Sequence, residues 1–158
     1  MKTITTSVVE TVKRWALDRS TPAADEPMRI LVVDDEEPIR RFVDRVLSGA
    51  GYRTTLAAGG ADALAAAALE DRFDLLLTDV MMPAMTGAEL ALRLRENDPD
   101  LKVLYVTGYS DRLFAEKTSL CHEEAFLEKP CSAVGLLQAV SLAITGSTRR
   151  GDARQPGR

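Results

Sequence analysis

Four short stretches carry side chains able to do chemistry together: Asp34-Asp35-Glu36-Glu37, Thr78-Asp79, Thr107-Gly108 and Lys129-Pro130. Each follows an apolar run that reads as a strand, so each is expected where a strand ends. Gathered on one rim, they make a group of carboxylates with a hydroxyl on one side and an ammonium on the other. Acidic residues after a strand also cap the helix that follows, and Glu36 and Glu37 suit that role. Asp34, Asp35 and Asp79 are a different matter, because converging carboxylates repel one another unless a cation neutralises them. Hard carboxylate oxygens in a shallow, wet site suit Mg2+, which keeps several waters and accepts phosphate as a further ligand.

Such a rim needs a scaffold, and the chain alternates regularly from residue 29 onward. Apolar runs predict strands over 29–33, 52–57, 73–78, 101–107 and 125–127. Helical spacing predicts helices over 38–50, 62–69, 88–96, 112–120 and 134–145. In the first helix Ile39, Phe42, Val43, Val46 and Leu47 form the apolar stripe; Pro38 suits its first turn, and Gly49 and Gly51 suit its end. Strands with near-continuous apolar runs, alternating with helices, imply a parallel sheet covered on both faces. Right-handed crossovers then favour an α/β, doubly wound, five-stranded sheet of flavodoxin-like topology. Ligands bind such sheets at the carboxyl ends of the strands, where the four stretches lie.

Composition limits what this scaffold can serve. The 158 residues are 46% hydrophobic and 28% charged, an ordinary globular balance. No apolar run is long enough to span a bilayer, and the start Met1-Lys2-Thr3 opens no signal peptide, so a soluble cytoplasmic protein is expected. Cys121 and Cys131 cannot build a disulfide framework and read as small packing residues, while the single histidine, His122, reads as a surface residue. Residues 29–145 hold 12 Lys/Arg against 19 Asp/Glu, and so acidic a body argues against DNA as a partner.

The chain resembles the receiver domain of bacterial two-component response regulators over residues 29–145. The pieces that carry the likeness are I-L-V-V-D-D-E, L-L-L-T-D-V-M-M-P followed by Gly87, V-L-Y-V-T-G-Y and F-L-E-K-P. Asp35, Asp79, Thr107 and Lys129 stand 44, 28 and 22 residues apart in that order. The resemblance implies that Asp79 is the phosphoacceptor, taking its phosphoryl group from the phosphohistidine of a sensor histidine kinase or a histidine phosphotransfer protein. It implies that Asp34 and Asp35 bind Mg2+ with Asp79 and the backbone carbonyl of Met81. It assigns Lys129 and Thr107 to phosphoryl oxygens, makes Lys129-Pro130 a cis bond, and makes Thr107 and the aromatic Phe126 a switch read by a downstream protein effector. A core ring on a buried strand is the plainer reading of Phe126. V-L-Y-V-T-G-Y is also partly similar to the strand end of stand-alone receivers in general stress signalling, which would add Tyr109 to the switch.

The chain departs from the pattern at three places. Met81 and Tyr109 put apolar and aromatic groups where many receivers carry polar ones that help to place the hydrolytic water, and Cys131 follows Lys129-Pro130 where an aromatic is common. Outside the pattern, residues 1–19 carry a helical stripe of Ile4, Val8, Val9, Val12, Trp15 and Ala16, joined by the proline-containing linker 20–28. That stripe leaves open packing onto the domain, a homodimer, a docked partner or, least favoured by its modest charge, a membrane surface. Residues 146–158 read as a basic, solvated tail, which leaves no room for an output domain and points to a stand-alone receiver. Two rivals remain: the detached receiver of a hybrid histidine kinase, acting as relay or phosphate sink, and an aspartyl-nucleophile phosphohydrolase. The latter usually carries D-x-D-x-T after its first strand, which Asp34-Asp35-Glu36-Glu37 lacks.

Overall fold

The computed structural model describes residues 26–70, 72–108 and 124–145. The expected helices at 1–19 and 112–120, the linker before residue 26, the tail, Tyr109, Cys121 and His122 lie outside the described residues. The described residues form five strands, β1 (Arg29–Val33), β2 (Arg53–Ala57), β3 (Leu75–Asp79), β4 (Lys102–Thr107) and β5 (Glu124–Glu128). Among the described residues four helices accompany them: α1 (Glu37–Gly49), α2 (Gly60–Leu69), α3 (Gly87–Arg95) and α4 (Ala133–Thr145). All strand pairs are parallel, in the order β2-β1-β3-β4-β5. The order reverses at β1, so β1 and β3 flank the crevice where a doubly wound sheet takes its ligands.

Alternation along the strands divides the core in two. Ile30, Val32, Leu75, Leu77, Leu104 and Val106 pack against Val43 and Leu47 of α1 and Leu136, Val140 and Ile144 of α4. Leu31, Val33, Leu76, Val103 and Tyr105 pack against Ala63 of α2 and Leu90, Ala91 and Leu94 of α3. Ile30–Val33 are fully buried, each side chain stabilising the fold by about 2 kcal/mol.

Local chemistry sets the helix ends. At the end of α1 the Gly51 N–H donates to the Ser48 carbonyl and the Tyr52 N–H to the Leu47 carbonyl, both at 3.1 Å, and Gly51 takes φ +94°. This is a Schellman closure, and it requires a residue free to adopt the left-handed region. Gly49 is instead the last helical residue. At the start of α3, Thr86 and Glu89 form a reciprocal capping box. The ammonium of Lys102 donates to the Ile144 carbonyl, tying the end of α4 to the start of β4.

Two expectations need correction. Glu36 occupies the N-cap of α1 but its side chain makes no cap hydrogen bond, and Glu37 pairs with Arg41 one turn on. The third strand begins at Leu75 rather than Phe73 and runs through Asp79: Phe73 is buried, but it precedes the ladder. Among the described residues no helix is long and apolar enough to cross a membrane.

Candidate functional site

Register brings the chemistry together. Val33 pairs with Thr78, so the next residues, Asp34 and Asp79, leave their strands at the same level. Asp79 in turn pairs with Val106, and Thr107 with Glu128, which puts Thr107 and Lys129 on that rim too. Strand alternation sets the facing. Asp34 continues the series Ile30, Val32; Asp79 continues Leu75, Leu77; Lys129 continues Ala125, Leu127.

The three aspartates converge, one carboxylate oxygen from each lying within 4.8 Å of the others. Asp34 and Asp79 are buried and Asp35 is exposed. At that spacing the two buried carboxylates repel by roughly 3 kcal/mol at an effective dielectric constant of about 20. Lys129 answers part of this, its Nζ lying 2.9 Å from Asp34 Oδ2 and 3.4 Å from Asp79 Oδ2. Burial pulls the Lys129 pKa down, but the hydrogen bond and charge of Asp34, with the charge of Asp79, outweigh it, and the net shift is upward from 10.5. The ammonium therefore keeps its proton at neutral pH. One such cation does not balance three carboxylates, and an oxygen-only donor set, partly open to water, fits a hard divalent ion such as Mg2+.

Backbone contacts hold the aspartates in place. Asp34 Oδ1 accepts the Glu36 N–H at 2.8 Å, and Arg40 Nη1 donates to the Asp34 carbonyl at 2.6 Å. The Thr78 hydroxyl donates to the Asp79 carbonyl at 3.0 Å. Gly87 lies against the same carbonyl, where a Cβ would stand 2.2 Å from the oxygen. Glycine is thus needed there for close approach. The Lys129 N–H donates to the Thr107 carbonyl at 2.7 Å, and the Lys129-Pro130 bond is cis.

The remaining candidates are placed less tightly. Thr107 is buried at the end of β4, in the series of Val103 and Tyr105. Met81, two residues after Asp79, is 38% exposed. Phe126 is not a core ring: it is 36% exposed and stacks on the buried Tyr105 with ring centroids 5.0 Å apart. Cys131 is half-buried and its thiol pKa is pushed up by burial, which makes it a poor nucleophile. Sequence reasoning overlooked Arg40, which acts on backbone and so leaves no motif, and the T-x-x-E of Thr86 and Glu89, a signal that was there to read.

Known proteins are similar to this chain in sequence and fold. The family model of the response regulator receiver domain matches residues 30–141. Response regulator receiver protein CpdR of Brucella abortus is 40% identical over 102 residues, which cover 65% of this chain and 84% of that protein. Sensor kinase CckA of the same organism is 36% identical over 112 residues, 70% of this chain but only 12% of the kinase. A solved receiver domain protein from Clostridium thermocellum superposes with a TM-score of 0.66 at 26% identity, covering 77% of this chain and 97% of that one. Fold and matched span agree, and the chain belongs to the response regulator receiver domain family of two-component signalling.

Proposed function

We propose that Asp79 is the residue of this receiver that accepts the phosphoryl group, with Lys129 and Thr107 serving the transferred group and Asp34, Asp35, Asp79 and the Met81 carbonyl holding Mg2+. The observation that carries this reading is the convergence of three carboxylates within 4.8 Å of one another, two of them, Asp34 and Asp79, paired with the Lys129 ammonium. In the transfer, an Asp79 carboxylate oxygen forms a bond to phosphorus as the phosphorus–nitrogen bond of a phosphohistidine breaks, and the electron pair leaves on the imidazole, which takes up a proton. A carboxylate is a weak nucleophile towards an anion, so the site contributes alignment and charge screening rather than a stronger base. Lys129, already bound to Asp79, offers its ammonium to a phosphoryl oxygen as a point charge. Bound Mg2+ supplies neutralisation of charge on the carboxylates and the phosphoryl oxygens.

The donor is a sensor histidine kinase or a histidine phosphotransfer protein. An apolar groove beside Lys129, lined by Ile39, Phe42, Val106 and Pro130, offers such a partner a surface next to the site. The output is contact with a downstream protein. Likeness to both CpdR and part of CckA supports a relay role as well, in which phosphate passes onward from Asp79. The proposed nucleophile ends β3 rather than following β1, and the residues after β1 lack the D-x-D-x-T of the aspartyl phosphohydrolase.

Intact-mass measurement after incubation with acetyl phosphate tests the chemistry. One phosphoryl group per chain is expected with Mg2+ and none in EDTA. Undiminished uptake in EDTA would remove the metal from the reading.

A further inference from the structure

Asp35 differs from its two neighbours in the cluster. Asp34 and Asp79 are buried and ion-paired to Lys129, whereas the Asp35 side chain is exposed and, among the described residues, makes no hydrogen bond or ion pair. Only its backbone can hold it in place. Two peptide groups flank it, and each is gripped. The peptide after Asp35 is held by the Glu36 N–H, which donates to Asp34 Oδ1 at 2.8 Å. The peptide before it is held by its carbonyl, that of Asp34, which accepts from Arg40 Nη1 at 2.6 Å. Because a peptide unit is planar, fixing that oxygen fixes the direction in which the Asp35 Cα leaves it.

We infer that Arg40 is a positioning residue for the cation site: reaching back from the first turn of α1, it locks the Asp34–Asp35 peptide so that the Asp35 carboxylate stands ready beside Asp34 and Asp79. The helix suits the task. Residues 37–49 are anchored by Val43 and Leu47 in the core, so the Arg40 stem rises from a fixed base. A guanidinium also keeps its charge and its planar donors at every working pH.

The inference rests on reading the three carboxylates as a Mg2+ site, and it makes a prediction of definite sign. Were Arg40 only a nearby positive charge, its removal would tighten binding of a divalent cation. As a positioning residue, its removal weakens binding, because Asp35 must then be ordered at the moment the cation arrives.

The test is calorimetric titration of Mg2+ into the full chain, for wild type, Arg40→Met and Arg40→Lys, with melting temperatures in EDTA as the check on folding. The expected result is a Kd raised roughly fivefold or more in Arg40→Met and largely recovered in Arg40→Lys, which keeps a donor that can reach the carbonyl. A Kd unchanged or lowered in Arg40→Met overturns the inference while leaving the metal site standing. Absence of Mg2+ binding in wild type overturns the metal site itself, and the inference with it. Should Arg40→Met fail to fold, Arg40→Gln takes its place with the same expectation and the same overturning result.

Discussion

Among the described residues, Lys129 is the cation within ion-pair reach of both Asp34 and Asp79, and its removal would leave two buried carboxylates facing each other. Lys129→Met is expected to cost about 3 kcal/mol of stability in EDTA, measured by urea unfolding. The pH dependence follows from the direction of the shift. The folded-state pKa is raised above 10.5, so the contribution is whole below that value and is lost as pH climbs through the folded value. The difference between wild type and Lys129→Met should hold level from neutral pH upward and shrink only above 10.5. Met81 sets a second expectation. Met81 stands two residues after Asp79 and is 38% exposed, and its thioether accepts hydrogen bonds weakly, so it gives a hydrolytic water little to hold. Met81→Asn, and Tyr109→Glu beyond the described residues, are expected to speed phosphate release from the purified phosphoprotein a few-fold, about 1 kcal/mol of barrier. At this scale the sequence was informative: residue type, order and strand-end position brought Asp34, Asp35, Asp79 and Lys129 to one site. Arg40 was not legible, since a side chain bonded to a backbone carbonyl looks like any helical arginine.

The element that aims Asp79 is the junction of β3 with α3, where two neighbouring residues do different work. Thr86 caps the helix, and Thr86→Ala is expected to cost about 1 kcal/mol while leaving phosphorylation intact. Gly87 admits the Asp79 carbonyl, so a methyl group there must displace either the strand end or the helix start. Gly87→Ala is therefore expected to cost about 2 kcal/mol and also to slow phosphorylation. Comparing unfolding midpoints with phosphorylation rates separates the two: equal slowing in both variants would contradict the separate role given to Gly87. The described helices and strands themselves were legible from periodicity to within a residue or two. Their ends were less so, because caps depend on backbone contacts. Glu36 stands at the N-cap without capping, while the Asp34 carboxylate takes its N–H. The exposure of Phe126 was unreadable for another reason, since its neighbour Tyr105 comes from a different strand.

Across the whole molecule, the sheet order was foreseeable because parallel strands joined by right-handed crossovers admit few arrangements. That order sets β1 beside β3 and so makes one site out of residues 45 apart in the chain, Asp34 and Asp79. A cation binding there stabilises the folded state by mass action: Mg2+ at ten times its Kd should add about 1.4 kcal/mol in urea unfolding, and Asp35→Asn should blunt the gain. Every residue of the site lies between 34 and 129, so removing residues 1–22 is expected to leave phosphorylation unchanged. The central claim is that Asp79 carries the phosphoryl group, and the direct measurement is to locate it. Borohydride reduction of the phosphorylated protein, followed by peptide mass analysis, should place the reduced residue at position 79, and Asp79→Asn should take up no label. Modification mapped to any other residue, or full labelling of Asp79→Asn, would contradict the account.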